Sequence, residues 1–354
     1  MITIISSRNA NVQPPSTQRG NELVVRLWRG LLGLLALIVI LALAGAIYQV
    51  VATAMDQRTY PPPGQLVDVG DYKLHIYCVG EGSPPVILDA VGGGSSAQWA
   101  LVQSEIAATT RVCAYDRAGF GWSDPGPGPR DAHQQVSELH TLLTNAGIAG
   151  PYVLVGYSYG GRVTRVYAAQ YPGEVVGLVS VDAGIPYEDP SFPQEYHAEY
   201  AAEERMINSL RWLAPLGVVR LLLTVGLGPE AEDYDLPAPQ RAESKIFNAT
   251  TKFWQSMAGQ FAAMPETDAQ ERAVKSLGDM PLVVLSAALP ADKTRQAWNE
   301  FNVKLAGLSS NSDYRLIEGA THMSLALKQQ HAQQTSAAIL EVIEAVRTGQ
   351  PLAQ

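Results

Sequence analysis

Hydrophobic and polar positions divide the chain into three unlike stretches. From Gly30 to Met55 no charged residue occurs, a run of about 26 residues where about 20 suffice to span a bilayer as a helix. Its densest part runs from Leu31 to Leu41. Arg8, Arg19, Arg26 and Arg29 precede it against Glu22 alone, while Asp56 and Arg58 follow and cancel. The basic flank stays in the cytoplasm, so the pattern predicts a single-pass anchor over residues 23–56, N-terminus cytoplasmic and body extracytoplasmic. Cleavage as a signal peptide at Ala44-Gly45-Ala46 or Ala52-Thr53-Ala54, releasing a secreted body, is the alternative. The apolar core of a signal peptide is shorter, about 7–15 residues. Residues 1–22 are rich in Asn, Gln, Ser, Thr and Pro and read as a disordered tail. Residues 57–64, ending in Pro61-Pro62-Pro63-Gly64, read as a stiff linker.

Beyond the linker the pattern changes to short β-rich runs alternating with helical ones. Gln65–Val69 and Tyr72–Val79 predict a hairpin about Gly70-Asp71. Pro85–Asp89, Arg111–Asp116, Tyr152–Val155 and Gly177–Asp182 are brief, almost wholly apolar runs, as strands covered on both faces require. Ala132–Ala146 and Arg162–Tyr171 have helical spacing, and Leu282–Ser286 and Tyr314–Ile317 resume the strand pattern. A last amphipathic helix fits Gln330–Arg347. The alternation predicts an α/β fold, a mainly parallel sheet with helices on both faces, built from residues 65–182 and 280–348. Residues 183–279 break it and read as several helices inserted between two strands, rich in aromatic residues and Met.

Composition narrows the function classes. The chain has 354 residues, is 47% hydrophobic and only 17% charged, which excludes a disordered chain. Its net charge of −9 comes with no basic run, which argues against nucleic acid as partner. Two cysteines are too few for a disulfide scaffold or a cysteine-rich zinc site.

The chemistry centres on Gly156-Tyr157-Ser158-Tyr159-Gly160, a G-x-S-x-G match. Alone it is weak, but a predicted strand ends just before it and a helix opens just after it. Such an elbow strains the central residue and pushes its hydroxyl outward. A serine needs a base. Of the six histidines only His322 follows the last predicted strand, and loops after strand C-termini open on the ligand crevice of a doubly wound sheet.

These features make the body, about Leu66 to Val346, resemble the α/β-hydrolase superfamily, in its serine-hydrolase branch with a helical cap: esterases, C–C hydrolases and aminopeptidases. The elbow, the order Ser158 then His322, and Asp116-Arg117-Ala118-Gly119-Phe120-Gly121-Trp122-Ser123-Asp124, similar to that branch's loop after the fourth strand, carry the resemblance. It implies an eight-stranded sheet with residues 183–279 as a cap after strand six, and a structural role for the Asp116–Asp124 loop. It also implies an oxyanion hole from the N–H groups of Tyr159 and of the loop Ala90–Ser96. There Gly92 takes the donor position, and Ala90-Val91 replaces the common His-Gly, leaving Val91 and Gly93 as alternatives. The acid that orients His322 is Asp182, after the sixth strand, or Asp292, after the seventh, where the usual Gly-x-x-Asp pattern is missing. Cys78 and Cys113 fall on neighbouring strands of that fold. A disulfide is permitted outside the cytoplasm, but buried free thiols are expected, since the fold does not need the bond.

The expected function is a membrane-anchored serine hydrolase for an ester, less so an amide, of apolar character. No metal or organic cofactor is implied, since neither H-E-x-x-H nor G-x-G-x-x-G occurs. A serine argues against the dehalogenase and epoxide hydrolase branches, which use aspartate. A non-catalytic binding or sensing module on the same scaffold is the alternative from another class. A C–C hydrolase or acyltransferase using the same residues is the third reading.

Overall fold

The computed structural model of the chain describes residues 16–187, 189–227 and 234–352. The first fifteen residues of the predicted tail lie outside these. Its remainder is helical: α1 runs unbroken from Ser16 to Thr59. Once a strongly apolar helix exists, each added residue extends it for one hydrogen bond, which carries it past the charged flanks. By length and composition α1 is a candidate membrane span.

The body contains β1 (Gln65–Asp68), β2 (Lys73–Val79), β3 (Val86–Asp89), α2 (Ala100–Ile106), β4 (Val112–Tyr115), α3 (Ala132–Asn145), β5 (Tyr152–Tyr157), α4 (Tyr159–Gln170) and β6 (Val175–Val181). The insert follows: α5 (Gln194–Leu213), a 3-10 turn (Ala214–Leu216), α6 (Val218–Thr224), α7 (Ala238–Asn248), α8 (Thr251–Ala262) and α9 (Met264–Ala273). The chain returns through β7 (Leu282–Leu289), α10 (Lys293–Ala306), β8 (Ser312–Thr321), α11 (Ser324–Leu327) and α12 (Gln329–Thr348). One eight-stranded sheet has the order β1-β2-β4-β3-β5-β6-β7-β8, with β2 antiparallel to both neighbours and the rest parallel.

The predicted elements of the body are present with shifts of a few residues, and β8 is the largest extension among them. It is an edge strand with a mostly half-exposed pattern, so its polar residues hid its length. The central strands are covered on both faces because successive side chains alternate. Val153, Val155 and Tyr157 of β5 face a core shared with α2 and α12, while Tyr152 and Leu154 face α3 and α4.

Two expectations are corrected. Cys78 and Cys113 are not free thiols but a disulfide, because the antiparallel register of β2 and β4 sets them directly opposite each other. Residues 57–59, read as the start of the stiff linker, are instead the last turn of a helix. Helix α1 continues to Thr59, and its C-terminal part packs on the insert, where Gln49 Nε2 donates to the Ala249 carbonyl at 2.8 Å.

Most insert aromatics serve packing. Phe253, Met257 and Phe261 of α8 gather round Phe120 and Ile207, and Tyr187 stacks on Tyr200 with centroids 3.9 Å apart. Helix α9 is fixed to α4 by buried ion pairs from Arg162 to Asp268 and Glu271 and from Arg165 to Glu271.

Candidate active site

The C-terminal edges of β5, β6 and β8 carry the candidate residues. Ser158 occupies the single residue between β5 and α4, with φ 53° and ψ −118°. A non-glycine residue in such a conformation stores of the order of 1–3 kcal/mol and persists only where its surroundings fix it. Here they do. Ser158 N–H donates to the Val181 carbonyl at 3.0 Å, and its carbonyl accepts from Gly161 and Gly184 at 3.0 and 2.8 Å. The flanking glycines are steric necessities. A Cβ on Gly156 would come 2.2 Å from Thr164 Oγ1, and one on Gly160 would come 2.5 Å from the Asp89 carbonyl oxygen.

His322 follows β8 directly. Its imidazole lies between the rings of Tyr157 and Trp298, centroids 5.4 and 5.2 Å away. The Tyr157 hydroxyl donates to the His322 carbonyl, and Trp298 Nε1 donates to the Ala183 carbonyl at 2.8 Å. The turn is thus held against β5 and β6 at once. Nδ1 of His322 is 2.5 Å from Oδ2 of Asp182.

Asp182 is fully buried just past β6, with φ 42°. Its Oδ1 accepts from the Ala287 N–H at 3.2 Å, and Arg295 Nη1 reaches both carboxylate oxygens at 2.9 and 2.8 Å. Burial pushes this carboxyl up, but the bond and charge of His322 and then Arg295 outweigh it, so the group sits below the ordinary carboxylate range. Asp292 is elsewhere. It is the N-cap of α10, accepting from Arg295 N–H at 2.7 Å. Of the two candidate acids the structure brings Asp182 to His322 and leaves Asp292 on a helix end.

Gly92 and Tyr159 also come together. A Cβ on Gly92 would stand 3.6 Å from Tyr159 Cβ and 3.1 Å from Gln260 Nε2 of the insert. The Gly94 N–H is already engaged with the Val91 carbonyl at 2.9 Å. Buried Arg117 fixes this loop from below: its guanidinium binds Asp89, the Ala90 carbonyl at 2.7 Å and the Val91 carbonyl. Asp116 accepts from Ser96 N–H at 2.6 Å and Trp122 N–H at 2.9 Å, and its Oδ2 lies 2.9 Å from His75 Nδ1. The Asp116–Asp124 segment therefore braces the loop, the structural role expected of it.

Glu243 on α7 is buried near Asp116 and His75. Burial and then the Asp116 charge push its carboxyl up from 4.5 to about 7, with His75 pulling the other way. The folded state thus keeps this proton to higher pH than the unfolded chain, and stability falls as pH climbs from 4.5 through about 7. Glu243→Gln removes that penalty. Thermal melts are expected to show a Tm gain of about 1–2 °C, a ~1 kcal/mol effect, above neutral pH and none in acid below the unfolded pKa. A gain confined to acid would contradict this account.

Sequence reasoning missed Arg295, Trp298 and Gln260. None lies in a motif; each is an ordinary helix residue until α8 and α10 are placed beside the sheet.

An eight-stranded, mostly parallel sheet with this strand order and a strand–helix elbow after β5 is the architecture of an α/β hydrolase. A family profile described as alpha/beta hydrolase fold matches residues 84–212. A putative lipase from Acinetobacter baumannii superposes with a TM-score of 0.62 at 20% identity, covering 85% of this chain and 97% of that one. An uncharacterized protein of Schizosaccharomyces pombe is 28% identical over 298 residues, 73% of this chain and 52% of that protein. The human (lyso)-N-acylphosphatidylethanolamine lipase is 31% identical over 144 residues, 39% of this chain and 41% of that protein. The chain has the α/β-hydrolase fold, and the family profile matches about a third of it. It spans about half or less of the length of these two curated relatives.

Proposed function

We propose that the chain is a membrane-anchored serine hydrolase that cleaves an ester, in preference to an amide, through an acyl-enzyme. The observation that carries this reading is the strained, exposed-side Ser158 on the same sheet edge as a histidine bonded to a buried carboxylate at 2.5 Å. Ser158 Oγ attacks the acyl carbon while His322 Nε2 takes the hydroxyl proton. The carbonyl electron pair moves to oxygen, and the N–H groups of Gly92 and Tyr159 hold the oxyanion. Collapse expels the alcohol, which takes its proton from His322. Water then repeats the sequence and frees the acid. Asp182 orients the imidazole and stabilises its charged form. Asp182 also shares its charge with Arg295, so the imidazolium faces less than a full negative charge. The anchor is α1, with the body extracytoplasmic and residues 183–279 as a cap. The Cys78–Cys113 disulfide supports an oxidising compartment. The acyl-lipid activity in the human relative's name supports an apolar acyl substrate.

A fluorophosphonate probe is expected to label the full chain once, on the peptide that contains Ser158, and to be blocked by prior incubation with a slow ester. Mass spectrometry locates the adduct. Labelling elsewhere, or none in folded protein, would overturn the assignment and favour a binding module.

A further inference from the structure

We propose that the corner of the insert made by the end of α5, the 3-10 turn and α6 is a docking surface for the lipid bilayer, seated in the leaflet from which α1 emerges. The proposal rests on reading α1 as the anchor and adds to it where the body sits.

Helix α1 has two regimes. From Glu22 to Leu41 every residue is exposed all round. From Ala42 onward cover recurs at Gly45, Ala46, Gln49, Ala52, Thr53 and Asp56, one helical face turned to the insert. The contact is close at its upper end. A Cβ on Gly45 would come 2.2 Å from the Leu216 carbonyl oxygen, and one on Gly217 would come 2.8 Å from the Gly45 carbonyl oxygen. Below it, buried Arg220 clamps three positions on α1: Gln49 Oε1 at 3.1 Å, Thr53 Oγ1 at 3.1 Å and Asp56 Oδ2 at 2.6 Å. The height of the insert along α1 is therefore fixed. At 1.5 Å per residue, the uncharged run that begins at Gly30 reaches Gln49 before it has crossed a hydrocarbon core of about 30 Å. The membrane boundary therefore falls near Gln49, about one turn beyond Gly45, and the 3-10 turn beside Gly45 lies at the level of the leaflet.

At that level the insert is apolar on its outside. Helices α5 and α6 meet there at 95°. Trp212, Leu221 and Val225 are 69%, 56% and 60% exposed, and Leu213, Leu216 and Leu227 are exposed beside them. Between Leu213 and Leu227 the one charged residue is Arg220, which points inward to α1. The Arg211 guanidinium lies 5.1 Å from the Trp212 ring centre, an amphipathic pair suited to the headgroup level. A soluble surface gains nothing from such a patch, whereas lipid already at hand along α1 covers it at no loss of further ordering. A site so held faces substrates that reside in the membrane.

The test uses the full chain in phosphatidylcholine vesicles. Both native cysteines are in the disulfide, so single nitroxide labels are placed at Leu37→Cys, Leu221→Cys, Val225→Cys and Lys275→Cys, and accessibility to oxygen and to a water-soluble nickel complex is read. Labels at 37, 221 and 225 are expected to favour oxygen, and the label at 275 the nickel complex. Lipid exposure at 37 with water exposure at 221 and 225 overturns the docking alone. Shielding of 221 and 225 from both reagents means a second copy covers the patch and also overturns it. Water exposure at 37 overturns the anchor reading and this proposal with it. In the double variant Leu221→Glu and Val225→Glu, hydrolysis of a vesicle-embedded long-chain ester is expected to fall at least about tenfold, the equivalent of one lost apolar anchor, with a soluble short-chain ester cleaved as before. An unchanged vesicle rate would count against the proposal.

Discussion

Ser158→Ala and Asp182→Asn are expected to abolish most p-nitrophenyl ester turnover, while Asp292→Ala leaves it intact. Losing the nucleophile removes the covalent route, so kcat/KM should fall by about 10⁴–10⁶. Asp182→Asn keeps the shape of the contact at His322 but replaces a carboxylate with an amide. An amide cannot offset the positive charge that forms on the imidazole, and its NH₂ can face Nδ1 and impose the wrong tautomer. A loss of about 10⁴ in kcat is expected, with KM little changed. Combining it with Ser158→Ala should add almost nothing, because the residues act as one unit. Asp292→Ala deletes the side-chain cap of α10 and should cost about 1 kcal/mol of stability and no activity. The reverse outcome, with Asp292→Ala inactive and Asp182→Asn active, would transfer the orienting role to Asp292.

That contrast also marks where sequence stopped being sufficient. Strands β3, β5 and β6 were legible because a strand covered on both faces must be apolar at nearly every position. The glycines about Ser158 were legible because their neighbours admit no Cβ. Choosing between Asp182 and Asp292 was different. Both follow a strand, and only the placement of β8 decides which one meets His322. Helix α10 itself was overlooked, since Lys293–Ala306 is half exposed and its apolar period is weak. The strand neighbours Cys78 and Cys113 were foreseen, but not their register, and one residue of slip would have turned their side chains to opposite faces. Arg220 and Gln49 are 171 residues apart, and nothing local in either segment announces the contact.

Arg117→Met should be strongly destabilising, and its two consequences separate. Arg117 is 2% exposed and binds Asp89, which is fully buried. With the guanidinium gone, Asp89 keeps the Tyr115 hydroxyl at 2.7 Å as its side-chain donor. A buried charge stripped of its partner costs about 3–5 kcal/mol. Burial already pushes the Asp89 carboxyl up, with Arg117 and then Tyr115 pulling it down, so removing Arg117 raises it further. A raised carboxyl destabilises the fold only where the unfolded chain is ionised. The deficit should therefore be full at neutral pH and shrink as pH falls towards the unfolded value of about 3.9. Adding Asp89→Asn removes the charge and should return much of the lost stability. It should not return activity, because the Ala90 and Val91 carbonyls remain unheld and the Gly92 N–H loses its aim, at a loss of about 10²–10³ in kcat. Melting curves and kcat measured on the single and double variants read the two effects independently. Recovery of both together would mean that Arg117 acts only by neutralising Asp89, and that the loop holds its shape without it.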